Sequence, residues 1–141
     1  MTAEAQRRLD VELLIIHLTL SPAEISDAHD LTAQIAHCVG DPRRTPKGTA
    51  LPGCYPDTRW RHGARYEAGE QHFADKIAEL VARLEPRKAF LAHLAATGGT
   101  ATVIVQFLDG YFGDSIPLTT LAKLVELQLE LDIESYNVPQ T

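Results

Sequence analysis

The sequence predicts an α+β domain in which a sheet of four or five strands, antiparallel or mixed, carries packed helices. Two observations set the sheet. Residues 11–20 and residues 100–108 are each apolar on both alternating faces, the pattern of strands covered on both sides. A third sets the connections, because a strand, a proline-opened helix and a return strand occur at residues 11–39 and again at 101–136. Two such units with helices between them point to a ferredoxin-like split arrangement or a related two-layer sandwich. With 141 residues, 45% hydrophobic and 23% charged, the chain fits one domain over residues 1–141, long enough to bury a core without metal or crosslink.

In residues 11–20, Val11, Leu13 and Ile15 share one face, and Leu14, Ile16, Leu18 and Leu20 the other. Arg7 and Arg8 before this run imitate a signal peptide, but Glu12 and His17 interrupt it and no small-residue cleavage site follows, so it reads as a core strand. No apolar stretch approaches the roughly 20 residues of a membrane span, and a cytoplasmic protein without membrane contact is expected. Ser21-Pro22-Ala23-Glu24 is a capping box with proline at the first helical position, which predicts a short helix to about Leu31. Residues 33–39 predict a second strand. From residue 40 to 69, Pro42, Pro46, Gly48, Pro52, Gly53, Pro56 and Gly63 break every period, which predicts a long irregular loop with a strand at 58–62 inside it. Residues 70–84 form the clearest helix, with Phe73, Ile77, Leu80, Val81 and Leu84 on one stripe. Pro86 opens another, in which Phe90, Leu91 and Leu94 face inward and Gly98-Gly99 ends the run. Pro117 opens a last helix carrying Leu118, Leu121, Leu124 and Val125. In residues 129–136, Leu129, Leu131 and Ile133 alternate with Glu130, Asp132 and Glu134, a half-exposed strand.

Charge is the most informative functional signal. Between Arg43 and Arg65, the cations Arg43, Arg44, Lys47, Arg59, Arg61 and Arg65 stand against Asp57 alone, although the chain as a whole has a formal charge of -6. Such a loop is expected to hold an acidic protein partner or a small anionic ligand through Arg43, Arg44, Lys47, Gly48, Trp60 and Arg61. The competing reading is self-neutralisation against the chain's own acids, Asp132 and Glu134 among them. Nucleic acid is not expected, because the chain is acidic and Tyr55, Trp60 and Tyr66 do not interleave the charges. A homodimer is compatible with these features. Trp60 lies between Arg59 and Arg61, so alternation sets its indole over the core and both arginines on the opposite face.

His17, His29, His37, His62, His72 and His93 are scattered, with no pair at i, i+4 and no HExxH or CxxC, so neither metal nor cofactor is predicted. His72 and Asp75 read as a helix-surface pair. Cys38 and Cys54 read as free thiols. A second function class, a small hydrolase or transferase, would use Cys54 with His62 or His37 as base, near Asp109 and Asp114. No oxyanion, phosphate-loop or GxSxG signature accompanies them, and a non-enzymatic binding module is the expectation.

The run from Gly40 to Gly53, Gly-Asp-Pro-Arg-Arg-Thr-Pro-Lys-Gly-Thr-Ala-Leu-Pro-Gly, followed by Trp60, resembles the signature of a bacterial family, domain of unknown function 4279. The order of the other elements is similar too: Ser21-Pro22-Ala23-Glu24-Ile25 after the first strand, an amphipathic helix after the tryptophan, and a closing Leu131-Asp132-Ile133-Glu134-Ser135-Tyr136. The resemblance covers nearly the whole chain. It implies a small, cytoplasmic, single-domain bacterial protein and assigns no activity, so it transfers no catalytic residue. An immunity role of the toxin-neutralising kind is one form the binding module could take.

Overall fold

The computed structural model describes residues 8–29, 31–63, 67–68, 72–109 and 113–135. Strand β1 (Arg8–His17) leads into α1 (Pro22–His29), then β2 (Ile35–His37), β3 (Pro42–Arg44), β4 (Ala50–Cys54), β5 (Thr58–Gly63) and β6 (Glu67–Ala68). Helix α2 (Phe73–Leu84), a 3-10 turn (Glu85–Arg87) and α3 (Lys88–Ala96) follow, and β7 (Thr100–Asp109), α4 (Leu118–Glu126) and β8 (Leu129–Ser135) complete the order. The capping box forms as predicted: Ser21 N–H donates to Glu24 Oε2 at 3.1 Å and Glu24 N–H to Ser21 Oγ at 3.2 Å.

The main sheet runs β2-β5-β1-β7-β8, with β6 on the start of β1. β1 is antiparallel to both β5 and β7, and β5 is antiparallel to β2. Hence β1 and β2 are parallel with β5 between them, and β5 and β7 are parallel with β1 between them. These two interlocked split units, β1-α1-β2 and β5-α2-α3-β7, are the ferredoxin-like arrangement. An additional α4-β8 unit extends it, with β8 parallel to β7. β3 and β4 form a separate two-stranded sheet.

All four helices pack on one face of the sheet. Leu9, Val11, Leu13 and Ile15 of β1, Trp60 of β5, Val103 and Val105 of β7 and Leu129 of β8 form one cluster with Ile25, Ile77, Leu84, Leu91, Leu94 and Leu124 from the helices. Among the described residues no helix lies on the opposite face. Its side chains instead pack in cross-strand rows, Gly63-Glu12-Ile104-Asp132 and Arg61-Leu14-Thr102-Glu130. Gly63 is required there, because a Cβ at this position would lie 2.4 Å from Glu12 Cγ.

Three details differ from the expectations. Beyond the expected strand at 58–62, the 40–69 segment also holds β3, β4 and β6: its prolines and glycines punctuate a hairpin and the entry to β5, so turn chemistry masked the pairing. In α4, Thr120 and Leu124, with Leu127 just past its end, face the core while Leu118 and Val125 are exposed, so its apolar residues occupy two faces. His72 Nδ1 approaches Asp114 Oδ2 at 3.5 Å, not Asp75. Gly69, Glu70, Tyr66, Arg65 and Tyr136 lie outside the described residues.

Candidate functional site: a basic arm

The chain leaves β2 and turns through Gly40, whose φ of 86° is the left-handed conformation that favours glycine. Gly40 N–H donates to Tyr55 O at 3.0 Å and Tyr55 N–H to Asp41 O at 2.9 Å, which fastens the base of a hairpin. Within it Pro42 pairs with Cys54 and Arg44 with Ala50, with a register shift between them. The tip, Thr45 to Thr49, closes through Gly48 N–H to Thr45 O at 2.8 Å and Thr45 N–H to Thr49 O at 2.9 Å. Gly48 also has φ 86°, with nothing near the place of its missing Cβ, so a backbone requirement and not crowding explains it.

Tyr55 clasps this arm to the domain. Its hydroxyl accepts from Arg44 N–H and donates to Arg44 O, both at 3.2 Å, and its ring stacks on His37 with centroids 3.8 Å apart. At the edge of the same ring, His37 Nε2 lies 3.7 Å from Asp57 Oδ1. The base is thus fixed, whereas residues 42–54 are exposed at every position but Thr45.

The six cations of the segment fall into separate groups. Arg59 pairs with Asp57 at 3.3 Å and Arg61 with Glu12 at 3.3 Å, so these are neutralised within the domain. Arg65 lies outside the described residues. Arg43, Arg44 and Lys47 make no ion pair among the described residues; Arg43 Nη1 only donates to Pro52 O at 3.4 Å. The acids Asp132 and Glu134 sit on β8, at the far end of the sheet from the arm. Arg43, Arg44, Lys47 and Gly48 are therefore together on the arm, while Arg61 is held by Glu12 and Trp60 is fully buried, its Nε1 donating to Ser26 Oγ at 2.9 Å.

Among the described residues, no hydrogen bond or ion pair joins Cys54 to His37, His62 or Asp114, the residues of the hydrolase or transferase reading. Cys54 is an exposed free thiol on the arm, and Cys38 is also free. Asp114, beyond β7, accepts from Ala74 N–H at 3.1 Å and from Ser115 N–H at 2.9 Å, satisfying a backbone donor in the first turn of α2. His62 meets Thr32 O at 2.6 Å. Buried His17 accepts through Nδ1 from the N–H groups of Thr19 and Leu20, both at 3.0 Å, a structural role whose burial lowers the imidazole pKa. The Asp109 side chain lies outside the described residues. No group of three or more histidine, cysteine or carboxylate side chains among the described residues could hold a metal, and no described helix is long and apolar enough to cross a membrane.

One titratable group was not singled out from the sequence. Asp10 is 4% exposed on the helix-free face beside Glu12, and its carboxyl is pushed up to about 7, first by burial and then by its hydrogen bond to Glu12 and the charge of Glu12. Two acids at i, i+2 inside an apolar strand are the signal that marks them. Because the folded state keeps this proton to about pH 7 while the unfolded chain releases it near 3.8, stability falls as pH rises through that window and levels off above it. Asp10→Asn is expected to flatten the slope and raise the melting temperature at pH 8 relative to wild type, measured by melts from pH 5 to 8. An unchanged slope would contradict the assignment.

The fold and the site define a class: a ferredoxin-like α+β sandwich, extended by one helix and strand, with a basic two-stranded arm at one edge. The chain belongs to the family described as Domain of unknown function (DUF4279), whose model matches residues 6–138. Neither a curated protein nor a solved structure gives a significant match.

Proposed function

We propose that the protein is a binding module that engages an acidic protein surface or an anionic ligand through the arm of Arg43, Arg44 and Lys47. One observation carries this reading: these three cations project on an exposed ribbon without a carboxylate partner among the described residues, while Arg59 and Arg61 are neutralised internally. An exposed, uncompensated patch on a chain of net charge -6 steers anionic partners to one place. The two free thiols fit a reducing, cytoplasmic setting.

A fluorescein-labelled polyglutamate peptide supplies the probe. Wild-type protein is expected to bind it saturably at low salt and to weaken as ionic strength rises, because the contacts are solvent-exposed. The triple variant Arg43→Ala, Arg44→Ala and Lys47→Ala should weaken binding by about tenfold or more, equivalent to about 1.4 kcal/mol, with an unchanged melting temperature. Equal affinity in the triple variant would place recognition elsewhere.

A further inference from the structure

The two edges of the main sheet are built differently. β2 is three residues long, and Gly40 and Pro42 follow it closely. β8 is seven residues long, pairs with β7 without a bulge from Ala101↔Leu129 to Phe107↔Ser135, and contains neither lysine nor proline. Its outer edge pairs with no strand among the described residues. Of the usual protections of an edge, β8 lacks short length, proline, lysine and bulges, and its charged side chains are all acidic, which oppose a second acidic strand and not a basic one.

Beside this edge lies an apolar strip. On α4, Leu118 is 83%, Val125 79% and Leu121 39% exposed, and on β8 Ile133 is 61% exposed on the helix-bearing face. The opposite flank of α4 is fixed toward the 3-10 turn and α3, where Lys123 pairs with Glu85 and Lys88 Nζ with Glu126 at 2.8 Å. At 100° per residue, Leu118, Leu121 and Val125 therefore turn away from α3, to the side of the free edge of β8. The other face of β8 carries Glu130, Asp132 and Glu134 in one row, in which Glu134 Oε2 accepts from Gln106 Nε2 at 3.2 Å while Glu130 and Asp132 are exposed.

We propose that the edge of β8 is a strand-addition site for an extended segment of another protein in which apolar and basic residues alternate. Such a segment would pair its backbone with the open edge, set its apolar side chains on Ile133, Leu121 and Val125, and set its basic side chains opposite Glu130 and Asp132. A second copy of β8 fits poorly, since pairing would bring the two acidic rows against each other on the same face. The site is at the opposite end of the sheet from the arm, so it does not depend on what the arm binds.

The probe is a labelled nine-residue peptide of alternating valine and lysine, compared with a block peptide of the same composition and with one N-methylated on alternate amides to remove edge pairing. The alternating peptide is expected to bind saturably, and both comparison peptides to bind about tenfold more weakly or worse. Ile133→Glu should weaken it similarly, and the double variant Glu130→Lys and Asp132→Lys should transfer preference to a valine-glutamate peptide. The Arg43→Ala, Arg44→Ala, Lys47→Ala variant should bind as wild type does, which separates this site from the arm. Absence of saturable binding at millimolar peptide, equal binding of the block or N-methylated peptide, or unchanged selectivity in the lysine variant would overturn the proposal. Wild-type dimerisation that Ile133→Glu abolishes would overturn it in favour of a second copy.

Discussion

Trp60→Ala is expected to destabilise the domain by about 3–5 kcal/mol, a large part of the roughly 5–15 kcal/mol that holds a domain together. The indole is fully buried, lies across from Ile15 in the register of β1 and β5, and belongs to the same apolar cluster as Ile25 of α1. Its Nε1 also donates to Ser26 Oγ at 2.9 Å, a polar tie between β5 and α1. Removal would leave a cavity at the joint of the first split unit and take away the hydroxyl's donor. Trp60→Phe keeps most of the apolar area and loses the hydrogen bond, so it should cost about 1–2 kcal/mol. Urea denaturation followed by far-ultraviolet circular dichroism measures both. A loss under about 1 kcal/mol for the alanine variant would show that the ring does not anchor this joint.

The central strands were legible because their chemistry is local and redundant. β1 and β7 announce themselves through apolar runs too short for a long helix, and α2 through a single stripe ending in Leu84. Trp60 was legible for the same reason, since alternation with Arg59 and Arg61 leaves the indole only the core face. The arm was not. Pro42, Pro46, Pro52, Gly48 and Gly53 erase any alternation, and pairing of β3 with β4 rests on backbone bonds and the Tyr55 clasp, which leave little mark in hydrophobicity. Its charge could be read, but not its division. Only the pairing of β5 with β1 shows that Arg61 meets Glu12, whereas Arg43, Arg44 and Lys47 make no ion pair among the described residues. The two apolar faces of α4 were hidden for a related reason, because nothing in the run of Leu118, Leu121, Leu124 and Val125 shows that the core takes Leu124 with Thr120 and Leu127 and leaves Leu118 and Val125 exposed.

Excision of the arm separates binding from folding. Gly40 and Asp41 meet Tyr55 at the hairpin base through backbone bonds of 3.0 and 2.9 Å, so Asn-Gly in place of residues 42–54 can close the same pair with a two-residue turn. Tyr55 would keep its stack on His37, and the sheet would lose no strand. Since residues 42–54 are almost wholly exposed, their removal takes little apolar area from the core, and the stability change should stay within about 1 kcal/mol. All three unpaired arm cations leave with it.

Titration of the armless and wild-type chains with the same polyglutamate probe, alongside their melting curves, shows whether the arm carries recognition. The wild type should bind in a salt-sensitive, saturable manner, and the armless chain should melt at nearly the same temperature with no saturable binding. Undiminished binding by a folded armless chain would contradict the assignment of recognition to Arg43, Arg44 and Lys47.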